Sequence, residues 1–243
     1  MRKTKKNTAI ILAGGTGRRM RGDVPKQFSF LGGIPVIAYS LNVFDSCEEV
    51  SDIVVVCHPG YLEDMERLVF GKDIRKPVKV VPGGETRQSS SFSGLENCPP
   101  DTDYVLIHDS ARPLVSRATI TSVLEAAIEE GAAGPAIDTT DTIVEQAGAF
   151  ISGMPDRTVL KRVQTPQAFR FNIITEAHEK ARETGINDSS DDCGLVIAYG
   201  GKVKVVRGDS LNIKLTSSLD LELAECIIRK GFGKDIETRS KVP

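Results

Sequence analysis

The run Ala9-Ile10-Ile11-Leu12-Ala13 is short and apolar, and it stops at Gly14-Gly15-Thr16-Gly17. A strand with one wet face would alternate apolar and polar residues. This run does not, so it reads as a strand covered on both faces. The glycines let the backbone turn tightly and approach a ligand with no Cβ in the way. Backbone N–H groups in such a loop can point at an anion. Arg18, Arg19, Arg21 and Lys26, in the context Pro25-Lys26-Gln27, bring positive charge to the same place. The simplest ligand is a polyphosphate.

Two familiar phosphate loops do not fit. A P-loop needs Lys and then Ser or Thr after its second glycine, and here Gly17 is followed by Arg18-Arg19. A dinucleotide fingerprint needs a third glycine, where this chain has Met20. That substitution also disfavours a nicotinamide-dependent dehydrogenase.

Further along, strand-like and helix-like segments alternate. Asp52–Cys57, Val78–Val81, Tyr104–His108 and Ala132–Ile137 read as strands. Helical patterns lie at 34–46, 60–70, 87–97 and 117–130, the last set off by Ser116 and Gly131. This alternation argues for right-handed βαβ units and an α/β fold: three layers around a mostly parallel, Rossmann-like sheet. Ligands of such sheets sit at the carboxyl ends of the strands. The Gly14–Gly17 turn, the Gly83-Gly84 turn and His108-Asp109 should then share one rim.

After residue 138 the pattern changes. Asp141–Val144 and Thr158–Val163 read as short strands around Gly148, Gly153 and Pro155, a hairpin excursion over 139–164. Exposed apolar hairpins are usually covered by a partner, which points to a dimer arm. A locally packed hairpin fits the residues equally well. Helices follow at 172–184 and after the acidic patch Asn187–Asp192, with strands at Val203–Val206 and Ile213–Leu215. Ser217–Lys230 closes the pattern, Ser217 and Asp220 standing in capping spacing. Residues 232–243 read as a polar, frayed tail. With no interdomain linker, residues 1–243 read as one domain plus the arm.

Composition bounds the partners. A hydrophobic content of 40% supports a substantial core, and a net charge of −2 gives no reason to expect nucleic acid or an acidic membrane. No stretch approaches the roughly 18 apolar residues of a membrane span. Five cysteines without a C-x-x-C pair fit buried thiols in a reducing cytoplasm better than disulfides or zinc.

Two later segments carry chemistry. Pro82-Gly83-Gly84-Glu85-Thr86-Arg87-Gln88-Ser89-Ser90 is a glycine turn between a strand and a helix, whose backbone can pair with the edge of a base. Tyr104–His108 leads into Asp109-Ser110-Ala111-Arg112-Pro113, an apolar strand ending in a carboxylate with a guanidinium three residues on. Asp109 can hold a substrate hydroxyl or help hold Mg²⁺ near phosphate, and Arg112 can fork onto a phosphate. A purely structural Asp–Arg pair is the alternative. His108 reads as structural, and Asp188, Asp191 and Asp192 read as an acidic helix start, not a metal site.

Leu12-Ala13-Gly14-Gly15-x-Gly17-x-Arg19-Met20, Pro25-Lys26-Gln27, the Gly83-Gly84 segment, His108-Asp109-x-Ala111-Arg112-Pro113 and Asn212-Ile213-Lys214-Leu215-Thr216 occur in order over residues 8–230. Together they resemble the 2-C-methyl-D-erythritol 4-phosphate cytidylyltransferase family of sugar-phosphate nucleotidylyltransferases. The resemblance implies CTP as co-substrate, Mg²⁺ or another divalent cation, a polyol phosphate acceptor and a cytoplasmic homodimer joined through the 139–164 arm. It implies CTP contacts from Ala13, Gly14, Gly15, Gly17, Gly83, Gly84, Glu85, Ser90, Ser110 and Lys214. Asp109, Arg112, Thr142, Arg157 and Thr165 would meet the acceptor, Thr142 and Arg157 reaching it from the neighbouring chain, and Asp109 would serve the metal. Arg19 and Lys26 are the expected catalytic pair. Ribitol-5-phosphate cytidylyltransferases share the fold and most motifs, and Gly14 keeps that acceptor open. A nucleotide-binding module without activity is a further alternative.

Overall fold

Alternate residues of β1 (Asn7–Ala13) pack into different cores. Ala9, Ile11 and Ala13 join one apolar cluster, and Ile10 and Leu12 join another. In β4 (Asp52–Cys57), likewise, Ile53, Val55 and Cys57 face the first cluster and Val54 and Val56 the second. The sheet is therefore buried on both sides, and the period-two geometry of a strand does the sorting. The computed structural model describes residues 5–15 and 25–231, with Lys26 described by its backbone alone.

The first half continues with β2 (Phe30–Leu31), β3 (Ile34–Pro35), α1 (Val36–Ser46), α2 (Leu62–Phe70), β5 (Val78–Pro82), α3 (Arg87–Glu96), β6 (Tyr104–Asp109), α4 (Arg117–Glu130) and β7 (Ala132–Asp138). Then come β8 (Glu145–Ala147), β9 (Phe150–Gly153), β10 (Lys161–Val163), β11 (Gln167–Arg170), α5 (Phe171–Glu183), α6 (Asp192–Ala198), β12 (Lys204–Arg207) and α7 (Ser218–Arg229). Helices α1, α2 and α4 supply the first cluster, and α3, α5 and α6 the second. Helix α7 makes a third, smaller core with Leu31, Val36, Tyr39, Leu114 and Leu215. Its start is the capping box that Ser217 and Asp220 were expected to form.

The main sheet runs β10-β7-β11-β6-β1-β4-β5, with β12 on β7. β1 pairs in parallel with β4 and β6, β4 with β5, and β12 with β7. The departures from a purely parallel sheet are β11, which lies antiparallel between β6 and β7, and β10, which is antiparallel to β7. β10 follows the same edge of β7, because β12 occupies the other edge at both Ala133 and Ala136. β10 and β11 are thus one antiparallel strand broken at Gln164-Thr165-Pro166, and the register against β7 slips by two residues across the break. The Thr165–Pro166 peptide there is cis.

Three strand expectations need correction. Asp141–Val144 is not a strand, and the hairpin begins at Glu145. Thr158–Val163 splits into a 3-10 turn over Arg157–Val159 and β10. Ile213–Leu215 is not a strand: the Leu215 N–H donates to the Ala111 carbonyl (2.7 Å), and just before the segment the Asn212 carbonyl accepts from Arg112 (2.7 Å). The expected frayed tail at 232–243 lies outside the described residues.

Candidate active site

The carboxyl ends of β1, β4, β5 and β6 form one rim, where Gly14 at the end of β1 meets the Gly83-Gly84 turn. The Gly83 N–H donates to the Cys57 carbonyl (2.7 Å), which draws the β5–α3 turn against the end of β4. Ser90, buried on the first turn of α3, exchanges hydrogen bonds with the Gly84 backbone. A Cβ on Gly83 would stand 2.8 Å from the Ser90 hydroxyl and one on Gly14 3.5 Å from it. Gly14, Gly83, Gly84 and Ser90 therefore converge. Ala13 is buried beneath them, while Gly15 and Glu85 are exposed. Thr86 caps α3 in a reciprocal pair with Ser89. Gly17 and Arg19 lie outside the described residues, as does the side chain of Lys26, whose backbone opens a short 3-10 turn over Lys26–Phe28.

A second cluster gathers at the end of β6. The Asp109 carboxylate accepts from Lys214 Nζ at Oδ2 (2.6 Å) and from Arg87 Nε at Oδ1 (3.2 Å). Its side chain is only 11% exposed. Burial works to raise its pKa, but the charges of Arg87 and Lys214 outweigh that and hold it well below the usual carboxylate range. Ser110 follows, buried, with its N–H on the Leu12 carbonyl (3.0 Å).

The break between β10 and β11 delivers Thr165 under this cluster. Its hydroxyl accepts from the Asp109 N–H (3.1 Å) and donates to His108 Nδ1 (3.1 Å). His108 Nε2 then donates to the Arg112 carbonyl (3.2 Å). Both ring nitrogens are used and the ring is neutral, since burial pushes its pKa down to about 4 against the pull of Asp109. His108 is structural, as expected. Arg112 spends its guanidinium on the carbonyls of Asn212 (2.7 Å) and Val163 (3.3 Å). It braces the segment that carries Lys214 against the broken strand.

The expected residues thus fall into three groups. Gly14, Gly83, Gly84 and Ser90 form one, and Asp109, Arg112, Thr165 and Lys214 the second. Thr142 and Arg157 are exposed on the arm, where Arg157 Nη1 donates to the Thr140 carbonyl (3.1 Å). Among the described residues neither bonds to Asp109, Arg112 or Lys214. Sequence reasoning passed over Arg87, the first residue of α3. Asp191 and Asp192 do form an acidic helix start, as expected, but Asp192 has a second role. The cap of α6 is Asp191, while Asp192 is buried and accepts from Arg87, Ser91 and His178. The visible signal was an arginine directly after the glycine turn.

A divalent cation finds one carboxylate here. No three His, Cys, Asp or Glu residues are grouped to hold an ion among the described residues. Each Asp109 oxygen, although paired with a cation, keeps a second lone pair. The donor set fits an ion that brings most of its ligands with it, as Mg²⁺ on a polyphosphate does.

The profile of the family described as 2-C-methyl-D-erythritol 4-phosphate cytidylyltransferase matches residues 7–230. The enzyme of that name from Geobacillus kaustophilus is 43% identical over 220 residues, covering 90% of this chain and 96% of its own. The solved structure of the Thermus thermophilus enzyme of that name superposes with a TM-score of 0.74 at 32% identity, over 90% of this chain and 98% of that one. The 4-diphosphocytidyl-2C-methyl-D-erythritol synthase of Anaerococcus prevotii gives a TM-score of 0.82 at 28% identity, over 93% and 97%.

Proposed function

This chain belongs to the 2-C-methyl-D-erythritol 4-phosphate cytidylyltransferase family, and from that premise we propose that it transfers CMP from CTP to 2-C-methyl-D-erythritol 4-phosphate. Pyrophosphate leaves, and the product feeds the non-mevalonate route to isoprenoids. The observation that carries the reading is the convergence of Gly14 and the Gly83-Gly84 turn on one rim with the Asp109–Lys214 pair. One half suits a nucleotide's base and phosphates, and the other suits the reacting phosphates.

An acceptor phosphate oxygen attacks the α-phosphorus of CTP, and the bond from that phosphorus to the β-phosphate oxygen breaks. The nucleophile is already an anion, so no general base is needed. The barrier is the approach of two anions and the charge on the leaving pyrophosphate, which calls for positioned cations. Arg19, Lys26 and Lys214 take that role, with amides of the Gly14–Gly17 loop. The Gly83-Gly84 turn, Glu85 and Ser90 hold the cytosine, and Ala13 and Ser110 line the nucleotide. Asp109 holds an acceptor hydroxyl and offers one oxygen to Mg²⁺. When bound, the ion neutralises phosphate charge. Arg112 and Thr165 shape the acceptor end.

Residues 1–243 act as one catalytic domain in this reading, and the 139–164 arm joins two copies. The described hairpin supports that part: Phe150 and Ile151 are exposed on the two-stranded sheet β8–β9, and Met154 and Val159 are exposed in the segment that follows it. Such a hairpin is marginal alone in water, so the arm docks on a second copy, bringing Thr142 and Arg157 to that copy's acceptor site. The proposed compartment is the cytoplasm, which holds CTP. No helix among the described residues is long and apolar enough to cross a membrane.

The test is pyrophosphate release with CTP and Mg²⁺, run beside 2-C-methyl-D-erythritol 4-phosphate and ribitol 5-phosphate. Release with the first acceptor alone is expected, in keeping with the names of the relatives. Release with ribitol 5-phosphate alone would replace the acceptor, and silence with both would overturn the reading.

A further inference from the structure

Asp192 is a carboxylate with 1% of its side chain exposed, and it holds Arg87 Nη1 at 2.6 Å. Its other oxygen accepts from the Ser91 hydroxyl (2.7 Å) and from His178 Nε2 (3.1 Å). Three donors from α3 and α5 therefore fix a carboxylate on the first residue of α6. That carboxylate fixes Arg87, and Arg87 reaches Asp109 through Nε. Burial works to lower the Arg87 pKa, but the charges of Asp192 and Asp109 outweigh it and hold the group firmly charged.

The charges balance as they stand. Two carboxylates, Asp109 and Asp192, share two cations, Arg87 and Lys214. The two cations differ in freedom. Arg87 is 21% exposed and tied at two points, while Lys214 is 39% exposed and tied at one. A polyphosphate on the rim offers Lys214 a richer partner. If Lys214 swings to it, Asp109 is still paired, because Arg87 stays. If Arg87 were absent, leaving would strand a nearly buried carboxylate with no ion-paired cation and only the charge of Arg112 nearby, which is costly.

We propose that Arg87, held by Asp192, is a positioning residue: it carries the charge of Asp109 so that Lys214 is free to engage the phosphates of the reaction. This rests on the cytidylyltransfer reading given above. A staple that merely tied α3 to α6 would need Asp192 alone and would not reach Asp109.

The experiment uses the full chain with CTP, Mg²⁺ and 2-C-methyl-D-erythritol 4-phosphate, and reads kcat and KM separately. Wild-type turnover tests the functional reading, and variant-to-wild-type ratios test the relay. Arg87→Met keeps length and removes charge. It is expected to cost kcat about 10- to 100-fold, the usual loss when the partner of a site residue is removed, with KM for CTP changed less than about threefold. Arg87→Lys, which can still pair with Asp109, is expected to recover part of that kcat. The deciding readout is a double-mutant cycle. Lys214→Ala should cost far more kcat in wild type than in Arg87→Met, because there the lysine is already detained on Asp109. Asp192→Asn should reproduce the Arg87→Met pattern. If it fails to fold, Ser91→Ala, which removes a single donor, takes its place. Additive losses for Arg87→Met and Lys214→Ala, or a loss of thermal stability in Arg87→Met with kcat intact, would overturn the proposal.

Discussion

Thr165 holds the end of β6 with one hydroxyl, accepting from the Asp109 N–H and donating to His108. Thr165→Val keeps the shape and deletes both bonds, leaving a buried donor and a buried acceptor unpaired. A loss of about 1–3 kcal/mol is expected, read by urea unfolding, together with a lower kcat because Asp109 loses its anchor. Unchanged stability and turnover would remove Thr165 from the account. His108, the other partner, sets a pH dependence. Its pKa is lowered from 6.5 to about 4 by burial, so the folded state favours the neutral ring. Its contribution is complete above 6.5 and declines as pH falls from there toward about 4. Urea midpoints taken down that range should fall, and the His108 ring signal should titrate well below 6.5. A His108 signal titrating near 6.5 would contradict the burial argument.

Among the elements, α3 does two jobs: it carries Arg87 and Ser90 on its first turn and packs flat on the sheet behind them. Gly94 permits that contact. A Cβ there would stand 2.4 Å from Ile10 Cγ2 and 3.1 Å from Val56 Cγ2, both in the core under the rim. Gly94→Ala is expected to destabilise by about 1–3 kcal/mol through overpacking, despite alanine's better helix propensity. Denaturant unfolding reads this directly, and a stabilised variant would show that α3 can lift at no cost. The broken strand β10–β11 is the other element that makes the site, since its interruption places Thr165 below Asp109. That break was not legible in the sequence. Thr158–Val163 looks like one strand because its residues favour strands, and the register slip depends on β7, which is distant in the chain. Ile213–Leu215 differs for a related reason: its apolar pattern is that of a strand, but the Leu215 N–H is used by Ala111 and the preceding Asn212 carbonyl by Arg112. The parallel strands were legible, because a run buried on both faces is continuous in apolar residues. The two glycine turns and Asp109 were legible too, since residue type alone marks them. Arg87 and Asp192 were not, because their meaning lies in a pairing across 105 residues.

For the whole molecule, the question is what covers the arm. Phe150, Ile151, Met154 and Val159 lie 62–79% exposed on or beside β8–β9. Replacing Phe150 and Ile151 together by Glu puts charge where the account expects a second copy. Sedimentation velocity is expected to show a dimer for the wild type and a monomer for this variant. If the proposed arm exchange holds, the variant also loses turnover, because Arg157 and Thr142 would no longer reach a neighbour's site. A wild-type monomer with full activity would show that each copy completes its own site.

In the proposed reaction the α-phosphate of CTP passes to the phosphate of 2-C-methyl-D-erythritol 4-phosphate. Its most direct test follows CTP labelled at the α-phosphate through a single incubation with acceptor, Mg²⁺ and the purified chain. The label is expected to move into a cytidine-linked diphosphate of the polyol, with none entering pyrophosphate. Label remaining in CTP, or appearing as free CMP with the acceptor unchanged, would contradict it.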